Sequence, residues 1–396
     1  MKGDEIMRYF NEIPDLENYD IVVGIPSYNN ATTISHVASV AAKGIREMGL
    51  KGLIANSDGG STDGTQQVFM ETNTEGVDKI TLRYNGIPGK GSAIRLLFEI
   101  THKSQAKVFI MLDSDLRSVE PWWIERLAQP IISNKTHYVT PLYLRHKYDG
   151  TITNNICYPL TSSLYGIKIR QPIGGDFGVS GELINIYLSK PEKTWETHVA
   201  RFGIDIWMTT IAINESGKKP VQAALGAKVH DVKDPGKHLQ GMFIQVVQTL
   251  FDLMIEYEHI WKNVRNIENV EVYGSQPSQV VEEIKVDLEN LKRRAIETVS
   301  ERKDRIGYLN QEIVSKVLSK GTINIDDWVE IVYTVANNYR KEKSEDTVVD
   351  LLGFYFARVA DFVEKTRDID TVTAENILED QLTRFFEKKE EFAKNW

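Results

Sequence analysis

Short apolar strands alternate with helical segments between residues 21 and 112, and this alternation constrains the fold more than any other feature of the chain. Ile21–Ile25 and Lys107–Leu112 have the length and the β-branched content of buried strands. Ala31–Met48, which follows the first strand, places its apolar residues at helical spacing. Strands separated by helices pack as a mostly parallel sheet with helices on both faces. The predicted fold class is therefore α/β.

Polar loops follow these strands, at the edge where open α/β sheets bind their ligands. Four of the loops carry chemically useful residues: Gly24–Asn30, Asn56–Asp63, Gly86–Ser92 and Asp113–Asp115. The third loop is not a Walker phosphate loop, because Tyr84 stands where that motif needs a glycine. Lys90 and the backbone N–H groups of this loop are still suited to a phosphate at the start of a helix.

The strongest predicted strand ends in two carboxylates, Asp113 and Asp115. Carboxylate oxygens are the ligands that Mg²⁺ or Mn²⁺ prefers, although turns also use Asp freely. Phosphatases with an aspartate nucleophile carry the same triplet, but they usually have Thr or Val where this chain has Arg117. Their strand also lies near the start of the domain. A phosphatase is therefore only a remote alternative to a metal and phosphate site.

The order and spacing of the motifs resemble the GT-A nucleotide-sugar glycosyltransferases. The resemblance rests on Pro-x-Tyr-Asn at 26–29, Asp-Gly-Gly-Ser-Thr-Asp at 58–63, Gly-Lys-Gly at 89–91 and Asp-x-Asp at 113–115. It covers residues 19–236. It implies a Rossmann-like, mostly parallel nucleotide-sugar domain over residues 1–237, followed by an α-helical C-terminal extension over 238–396.

Three later motifs narrow the resemblance to the retaining synthases of compatible solutes. Gln171–Phe177, Gly203–Asp205 and Leu225–His230 resemble segments of glucosyl-3-phosphoglycerate synthase and mannosylglycerate synthase. The first of these families typically has Glu where this chain has Asp at positions 176 and 205. The helical C-terminal extension is more like that of mannosylglycerate synthase.

The resemblance implies a role for each matching residue. Asp113 is expected to contact the ribose or the metal-bound phosphate, and Lys90 to meet the diphosphate. Asp115 and His230 are expected to hold Mg²⁺ or Mn²⁺. The remaining assignments are Pro26, Tyr28 and Asp58 for the base pocket, Gly174, Gly175 and Asp176 for the donor sugar, and Asp205 for sugar or acceptor hydroxyls. Asp115, Asp176 and Asp205 are the predicted catalytic residues.

Each assignment has a structural alternative. The glycine pair at 174–175 is also typical of a tight turn, and Asp205 of a helix cap. His230 is also compatible with a surface position or with a satisfied place in the core.

The acceptor loop departs from the phosphoglycerate enzymes. By alignment, Thr151 stands where they have Arg, and Ala224 where they have Asn. A phosphate needs charge-assisted donors, so free glycerate fits better, contacted by Arg145 or by the backbone near Thr151 and Thr153. Because Arg145, His146 and Lys147 are close in sequence and suited to replace the missing donors, 3-phosphoglycerate stays open as the acceptor.

The second half is dominated by helical periodicity. Predicted helices are His238–Trp261, Val280–Glu301, Ile325–Lys343, Thr347–Lys365 and Ala374–Lys394, with a loop at Tyr273–Pro277. The charge run at 387–391 is predicted to be a solvated helix face. The wide apolar face of the fourth helix indicates packing, either within the monomer or in the homodimer that the resemblance implies.

Charge and composition exclude several classes of partner. A net charge of −9 makes a nucleic-acid backbone a poor partner. No apolar run approaches the roughly 18 residues of a membrane span, and the N-terminus lacks the pattern of a signal peptide. Cys157 is the single cysteine, which suits a reducing compartment and an ordinary buried thiol. The sequence therefore predicts a cytoplasmic protein with neither nucleic-acid nor membrane partners.

The resemblance, with which these features agree, implies a metal-dependent, retaining hexosyltransferase. It would move a hexose, glucose by expectation, from UDP or GDP to glycerate and so make glucosylglycerate, a compatible solute. Glucosyl-3-phosphoglycerate synthase and mannosylglycerate synthase are the alternatives. A non-enzymatic interaction protein is a further alternative, against which the presence of Lys90, Asp113, Asp115 and His230 argues.

Overall fold

The computed structural model describes residues 12–84, 86–229 and 235–396, with side chains from residue 239 onward in the last range. The chain divides into two compact units. Their bounds are Met1–Leu144, Ile173–Lys233 and Val270–Val280 for the first, and Arg145–Pro172, Asp234–Asn269 and Val281–Trp396 for the second. These bounds differ from the predicted division at residue 237, because residues 145–172 lie in the second unit and residues 270–280 in the first.

The first unit is built on an eight-stranded sheet. Its strands are β1 (Ile21–Ser27), β2 (Gly52–Asp58), β3 (Asp78–Arg83), β4 (Val108–Met111), β5 (Tyr138–Leu144), β7 (Phe177–Ser180), β8 (Val221–Ala227) and β10 (Val272–Tyr273). Their order across the sheet is β10-β8-β5-β7-β4-β1-β2-β3. Only β7 runs antiparallel to its neighbours within this described sheet. The prediction of a mostly parallel α/β fold is confirmed.

Helices flank this sheet on both faces. They are α1 (Ile34–Glu47), α2 (Thr65–Glu71), α3 (Lys90–Lys103), α4 (Pro121–Ile132), α6 (Gly181–Leu188) and α7 (Ile204–Glu215). Every residue of β1 and β2 is buried, which requires cover on both sides of the sheet. Val23, Ile110 and Trp123 belong to one core cluster that joins strands to helices.

The second unit is mainly helical. Its helices are α5 (Tyr158–Tyr165), α8 (Pro235–Glu256), α9 (Glu258–Trp261), α10 (Leu288–Glu301), α11 (Gln311–Lys320), α12 (Ile325–Glu342), α13 (Glu345–Thr366) and α14 (Thr371–Asn395). A π-helix, Thr153–Cys157, precedes α5, and β6 (Ile167–Lys168) pairs with β9 (Glu268–Asn269). Residues 145–172 belong to this unit because α5 packs against α14.

Two local predictions in the C-terminal half were wrong. The helix predicted from Val280 begins at Leu288, because the Asp287 side chain accepts the Asn290 N–H at 2.9 Å and caps it. Tyr273, predicted to lie in a loop, belongs to β10, which pairs in parallel with β8. A two-residue strand is too short to show an alternating pattern, so its pairing is decided by the sheet that receives it.

The wide apolar face of α13 is covered within the second unit. Its large side chains have exposed fractions of 5% or less: Val348, Leu351, Leu352, Phe354, Tyr355, Phe356, Val359, Phe362 and Val363. Tyr333 of α12 stacks on Phe392 of α14 with ring centroids 4.1 Å apart. The apolar width of these helices therefore no longer supports a dimer.

The charge run at the end of α14 is only partly solvated. Lys389 has an exposed fraction of 4%, and its Nζ donates to the carbonyls of Ser163 at 2.9 Å and Val264 at 2.8 Å. The prediction of a solvated face was therefore wrong for this residue, because α14 packs along α5 at that point. Among the described residues, no helix is both long and apolar enough to cross a membrane.

Candidate active site

The loop after β4 is tied to the loop that follows β1 and to the turn that precedes β7. The Ser114 hydroxyl donates to Asn30 Oδ1 at 2.8 Å, and Thr33 donates to the Ser114 carbonyl at 2.7 Å. The Asp113 N–H donates to Asp176 Oδ1 at 2.8 Å. The parallel sheet thus brings residues from separate motifs together at the carboxyl end of β4, as the sequence predicted.

Five charged side chains form one network at this edge. Lys90 Nζ lies 3.1 Å from Asp113 Oδ1 and 3.2 Å from Asp205 Oδ1. Lys228 Nζ lies 2.8 Å from Asp113 Oδ2 and 2.7 Å from Asp176 Oδ2. Asp113 therefore contacts one lysine through each carboxylate oxygen, and three carboxylates share two ammonium groups.

Burial and charge shift the pKa values within this network. Burial alone would lower the pKa of Lys90, but the negative charges of Asp113, Asp205 and Asp176 outweigh it and raise that pKa. Burial raises the pKa of Asp176 against the opposing charge of Lys228. It raises the pKa of Asp205 in the same way against Lys90. Lys90 is therefore held as a cation, and burial shifts the pKa values of Asp176 and Asp205 upward.

Lys90 is the first residue of α3, and the glycines beside it allow a close backbone approach. A Cβ on Gly91 would lie 1.8 Å from the Val199 carbonyl oxygen. A Cβ on Gly89 would lie 2.3 Å from the Ala200 carbonyl oxygen. The Gly91 N–H donates to a backbone carbonyl in the segment that contains Val199 and Ala200. The Gly89 N–H donates to the Tyr84 hydroxyl at 3.0 Å. These two N–H groups, expected to meet a phosphate, are thus engaged within the protein.

The turn before β7 lies directly against Asp113. Gly175 has φ +91°, and a Cβ there would be 2.3 Å from Asp113 Oδ2 and 2.9 Å from Lys228 Nζ. The Gly174 carbonyl accepts from Lys228 at 3.0 Å, and the Tyr143 hydroxyl donates to Asp176. The glycine pair therefore forms a turn at this edge of the sheet, and its contact with a donor sugar stays a prediction.

Asp205 lies in the first turn of α7, where the helix dipole favours a carboxylate. Gly203 is the N-cap residue, so Asp205 is not the cap. Its Oδ2 accepts from Lys90 Nζ at 3.2 Å. Asp205 therefore contacts Lys90, and its hydrogen bond to sugar or acceptor hydroxyls stays a prediction.

The residues expected to line the base pocket lie at the ends of β1 and β2. Pro26 pairs in register with Ser57 beside Asp58, and Tyr28 is 64% exposed. Asp58 is fully buried, and its Oδ2 accepts the Gly60 and Ser61 N–H groups at 2.8 Å each. Asp58 therefore shapes its own loop, and its contact with a base stays a prediction.

Two residues were predicted to hold the metal, and the described residues include one of them. Asp115 is 5% exposed beside Asp113, whereas His230 lies outside the described residues. Among the residues described, no group of three His, Cys, Asp or Glu side chains is placed to hold an ion. A carboxylate such as Asp115 still fits Mg²⁺ or Mn²⁺, because phosphate oxygens and water commonly complete the coordination of these ions.

The predicted acceptor residues belong to the second unit. Arg145 Nη1 lies 3.4 Å from Asp149 Oδ2. The Thr151 hydroxyl lies 2.6 Å from that of Tyr355, and Thr153 begins the π-helix with an exposed fraction of 7%. These residues thus belong to one segment of the second unit, whereas the residues predicted to bind the donor belong to the first unit.

Lys228 is the residue that sequence reasoning missed. It lies inside the quoted segment Leu225–His230, but no role was assigned to it. Its Nζ is 5.2 Å from the Tyr143 ring centroid, and its side chain is 4% exposed. A basic residue at the end of a core strand, two positions before a predicted ligand, was the available signal.

Comparisons with known proteins give structural matches only. No protein-family model and no curated protein sequence matches the chain. The matching structures include glucosyl-3-phosphoglycerate synthase from Mycobacterium tuberculosis with Mn²⁺, uridine diphosphate and phosphoglyceric acid, at 22% identity and TM-score 0.48, covering 59% of this chain and 78% of that one. Complexes of the same enzyme with Mg²⁺ and uridine diphosphate, and with Mn²⁺, UDP-glucose and glycerol 3-phosphate, give TM-scores of 0.48 and 0.46. Both are 22% identical to this chain. Each match covers 59% of this chain, with 79% of the matched chain in the first complex and 80% in the second.

Proposed function

We propose that this protein is a metal-dependent, retaining hexosyltransferase that moves glucose from a nucleoside diphosphate to glycerate. The observation that carries the proposal is the network of Lys90, Lys228, Asp113, Asp176 and Asp205 at the carboxyl edge of the sheet. Buried carboxylates and ammonium groups drawn from distant segments are expensive to desolvate and are typical of a site that binds a charged ligand. A nucleoside diphosphate bound with a divalent cation has that chemistry.

The lysines have different tasks in the proposed reaction. When the donor binds, Lys90 at the start of α3 gives up its contact with a carboxylate of the network and contacts a diphosphate oxygen instead. Asp205 is then released to accept a hydrogen bond from a sugar or acceptor hydroxyl. Lys228 stays between Asp113 and Asp176 and orients both carboxylates. A divalent ion at Asp115, when bound, supplies Lewis-acid stabilisation of the leaving diphosphate.

The contacts of the acceptor segment favour glycerate over 3-phosphoglycerate. Lys147, one of the cations suited to bind a phosphate, is 9% exposed, and its Nζ donates to the Thr366 carbonyl at 2.6 Å and to that of Ile369. Arg145 faces Asp149, and the Thr151 hydroxyl contacts Tyr355. A phosphate dianion needs charge-assisted donors, each worth roughly 1.5–3 kcal/mol. Glycerate has no phosphate group, so its binding does not require these donors.

A product assay tests the proposed reaction. Purified protein is incubated with UDP- or GDP-linked glucose or mannose, and with glycerate or 3-phosphoglycerate, with Mg²⁺ or Mn²⁺ added. The expected product is α-configured glucosylglycerate, absent after EDTA treatment and in Asp115→Ala. Asp368→Ala, at a position with an exposed carboxylate, is the matched control. Full activity of EDTA-treated enzyme would contradict the metal role, and inverted product would contradict retention.

The acceptor choice has its own test. Glycerate is expected to have a higher kcat/KM than 3-phosphoglycerate, by about two orders of magnitude if two charge-assisted bonds are lost. Thr151→Arg should narrow that gap by restoring one donor, while Thr151→Val should not. A clear preference of the unmodified protein for 3-phosphoglycerate would overturn the assignment.

The homodimer remains a proposal that rests on the resemblance. Light scattering is expected to give about twice the chain mass of 45.1 kDa at working concentration. A mass of one chain would contradict it.

A further inference from the structure

Strands β5 and β8 lose their regular register just before Lys228. Leu142 pairs with Ala224 but Tyr143 pairs with Gly226, so Leu225 is an extra residue in β8. Gly226 has φ +75°, a left-handed conformation that glycine adopts without strain. Such a bulge bends the strand and removes regular ladder hydrogen bonds, so its backbone groups need other partners.

Gln276 bridges the two strands at this bulge. Its side-chain oxygen accepts the Gly226 N–H at 2.9 Å, and its side-chain nitrogen donates to the Leu142 carbonyl at 2.7 Å. One amide therefore takes the place of a cross-strand hydrogen-bond pair. The next backbone N–H, that of Ala227, donates to Gln279 Oε1 at 2.7 Å.

The segment that carries these glutamines fits closely over the bulge. A Cβ on Gly226 would lie 2.3 Å from Gln279 Oε1 and 2.9 Å from Pro277. Arg126 Nη1 donates to the Ser275 carbonyl at 2.9 Å and so holds the start of this segment. Gln276 is half-buried and Gln279 is exposed, so the first glutamine makes the better protected contacts.

The chain beyond the bulge runs straight into the charged network. Lys228 reaches Asp113, Asp176 and the Gly174 carbonyl. The Val229 carbonyl then accepts the Arg117 N–H at 2.9 Å, and the Val229 N–H donates to the Ser118 hydroxyl at 2.9 Å. The backbone that carries Lys228 is thus fixed on both sides.

We propose that Gln276 is a positioning residue that holds the bulged end of β8 and thereby places Lys228 between Asp113 and Asp176, with Gln279 as a weaker support. The predicted effect of Gln276 on catalysis rests on the proposed function. Its structural part, that Gln276 holds the Lys228 backbone, stands on the contacts alone.

Hydrogen exchange tests the structural part without any substrate. In Gln276→Ala, the peptide that contains Gly226–Val229 should exchange at least tenfold faster than in the unmodified protein, because two hydrogen bonds of the bulge are lost. Gln279→Ala should accelerate exchange less. Gln67→Ala, which changes a glutamine on the first unit's helix α2, should leave this peptide unchanged. Unaltered exchange in Gln276→Ala would overturn the proposal.

A double-mutant cycle tests the catalytic part. Gln276→Ala should lower kcat about tenfold with a smaller change in the donor KM, since small misplacements of reacting groups have effects up to about a hundredfold. In the Lys228→Met background the same substitution should change kcat less than twofold, because both act through one ammonium group. Gln67→Ala should leave kcat unchanged in either background.

The outcomes separate this proposal from the proposed function. Equal kcat losses from Gln276→Ala in both backgrounds would show that it does not act through Lys228. An unchanged kcat together with faster exchange would also overturn the positioning role. If the unmodified protein transfers no sugar to any acceptor, the proposed function fails, and the exchange result alone supports or overturns the hold of Gln276 on Lys228.

Discussion

Both units bury cations, but they neutralise them in different ways. In the first unit, Lys90 and Lys228 are surrounded by carboxylates that come from three separate places in the chain. In the second, Arg358 of α13 is fully buried and pairs with Asp361, three residues further along the same helix, at 2.7 Å. Arg358 also donates through Nε to Gln381 of α14 at 2.6 Å, so two packed helices satisfy this cation. Lys90 and Lys228 instead meet carboxylates at the sheet edge where open α/β sheets bind their ligands. The difference indicates which buried charges belong to a site.

The largest expected effect comes from removing one carboxylate from each cluster. Asp113→Asn should lower kcat/KM about a thousandfold, as loss of a preorganised charged contact typically does, with little loss of stability because each lysine keeps another partner. Asp361→Asn should leave kcat/KM unchanged and reduce the free energy of unfolding by about 3 kcal/mol, because Arg358 then lacks its counter-charge. Steady-state kinetics and urea unfolding measure both. An Asp361→Asn protein that folds well but loses activity would break the comparison.

Two glycines sharpen the comparison at smaller cost. Gly175→Ala should lower kcat by 10- to 100-fold, since its Cβ would overlap Asp113 and shift it. Gly353→Ala, where a Cβ would lie 2.6 Å from Val299 Cγ2, should leave kcat unchanged but destabilise the fold by about 1–2 kcal/mol. The same assays apply. Similar kcat losses in both variants would show that activity depends on general packing.

The smallest expected effect concerns Lys389, a buried cation that donates to the backbone carbonyls of Ser163 and Val264. Burial, with a contribution from Arg265, lowers the pKa of Lys389 from 10.5 to about 8. Below pH 8 the folded state keeps this unfavourable charge. As the pH rises from 8 towards 10.5 the folded state loses the proton before the unfolded state does, so stability increases.

Compared with Lys389→Met, the unmodified protein should therefore gain about 1 kcal/mol in unfolding free energy between pH 7 and pH 9. Urea unfolding of both proteins at the two pH values provides the measurement. Lys388→Met, at an exposed position on the same helix, is the control. A parallel pH dependence of Lys389→Met and the unmodified protein would show that Lys389 keeps its ordinary pKa.

The sequence predicted those features that depend on local pattern. The strands β1 and β4 and the loops after them follow from apolar runs that end in polar residues, and these placed Asp113 and Lys90 at one edge. It did not predict Lys228 or Gln276, because each acts through partners that are distant in the chain. Nor did it predict that Lys389 is buried, since that depends on where α14 packs.

The return of the chain to the first unit at β10 has a consequence for how the protein is made. The ribosome releases β8 before Val272–Tyr273, so for that interval the β8 edge lacks the neighbour it has in the finished sheet. An unpaired edge is a template for pairing with other chains. Fragments that end before Val270 keep that edge permanently, and we expect them to aggregate during expression even though they contain every motif at the sheet edge.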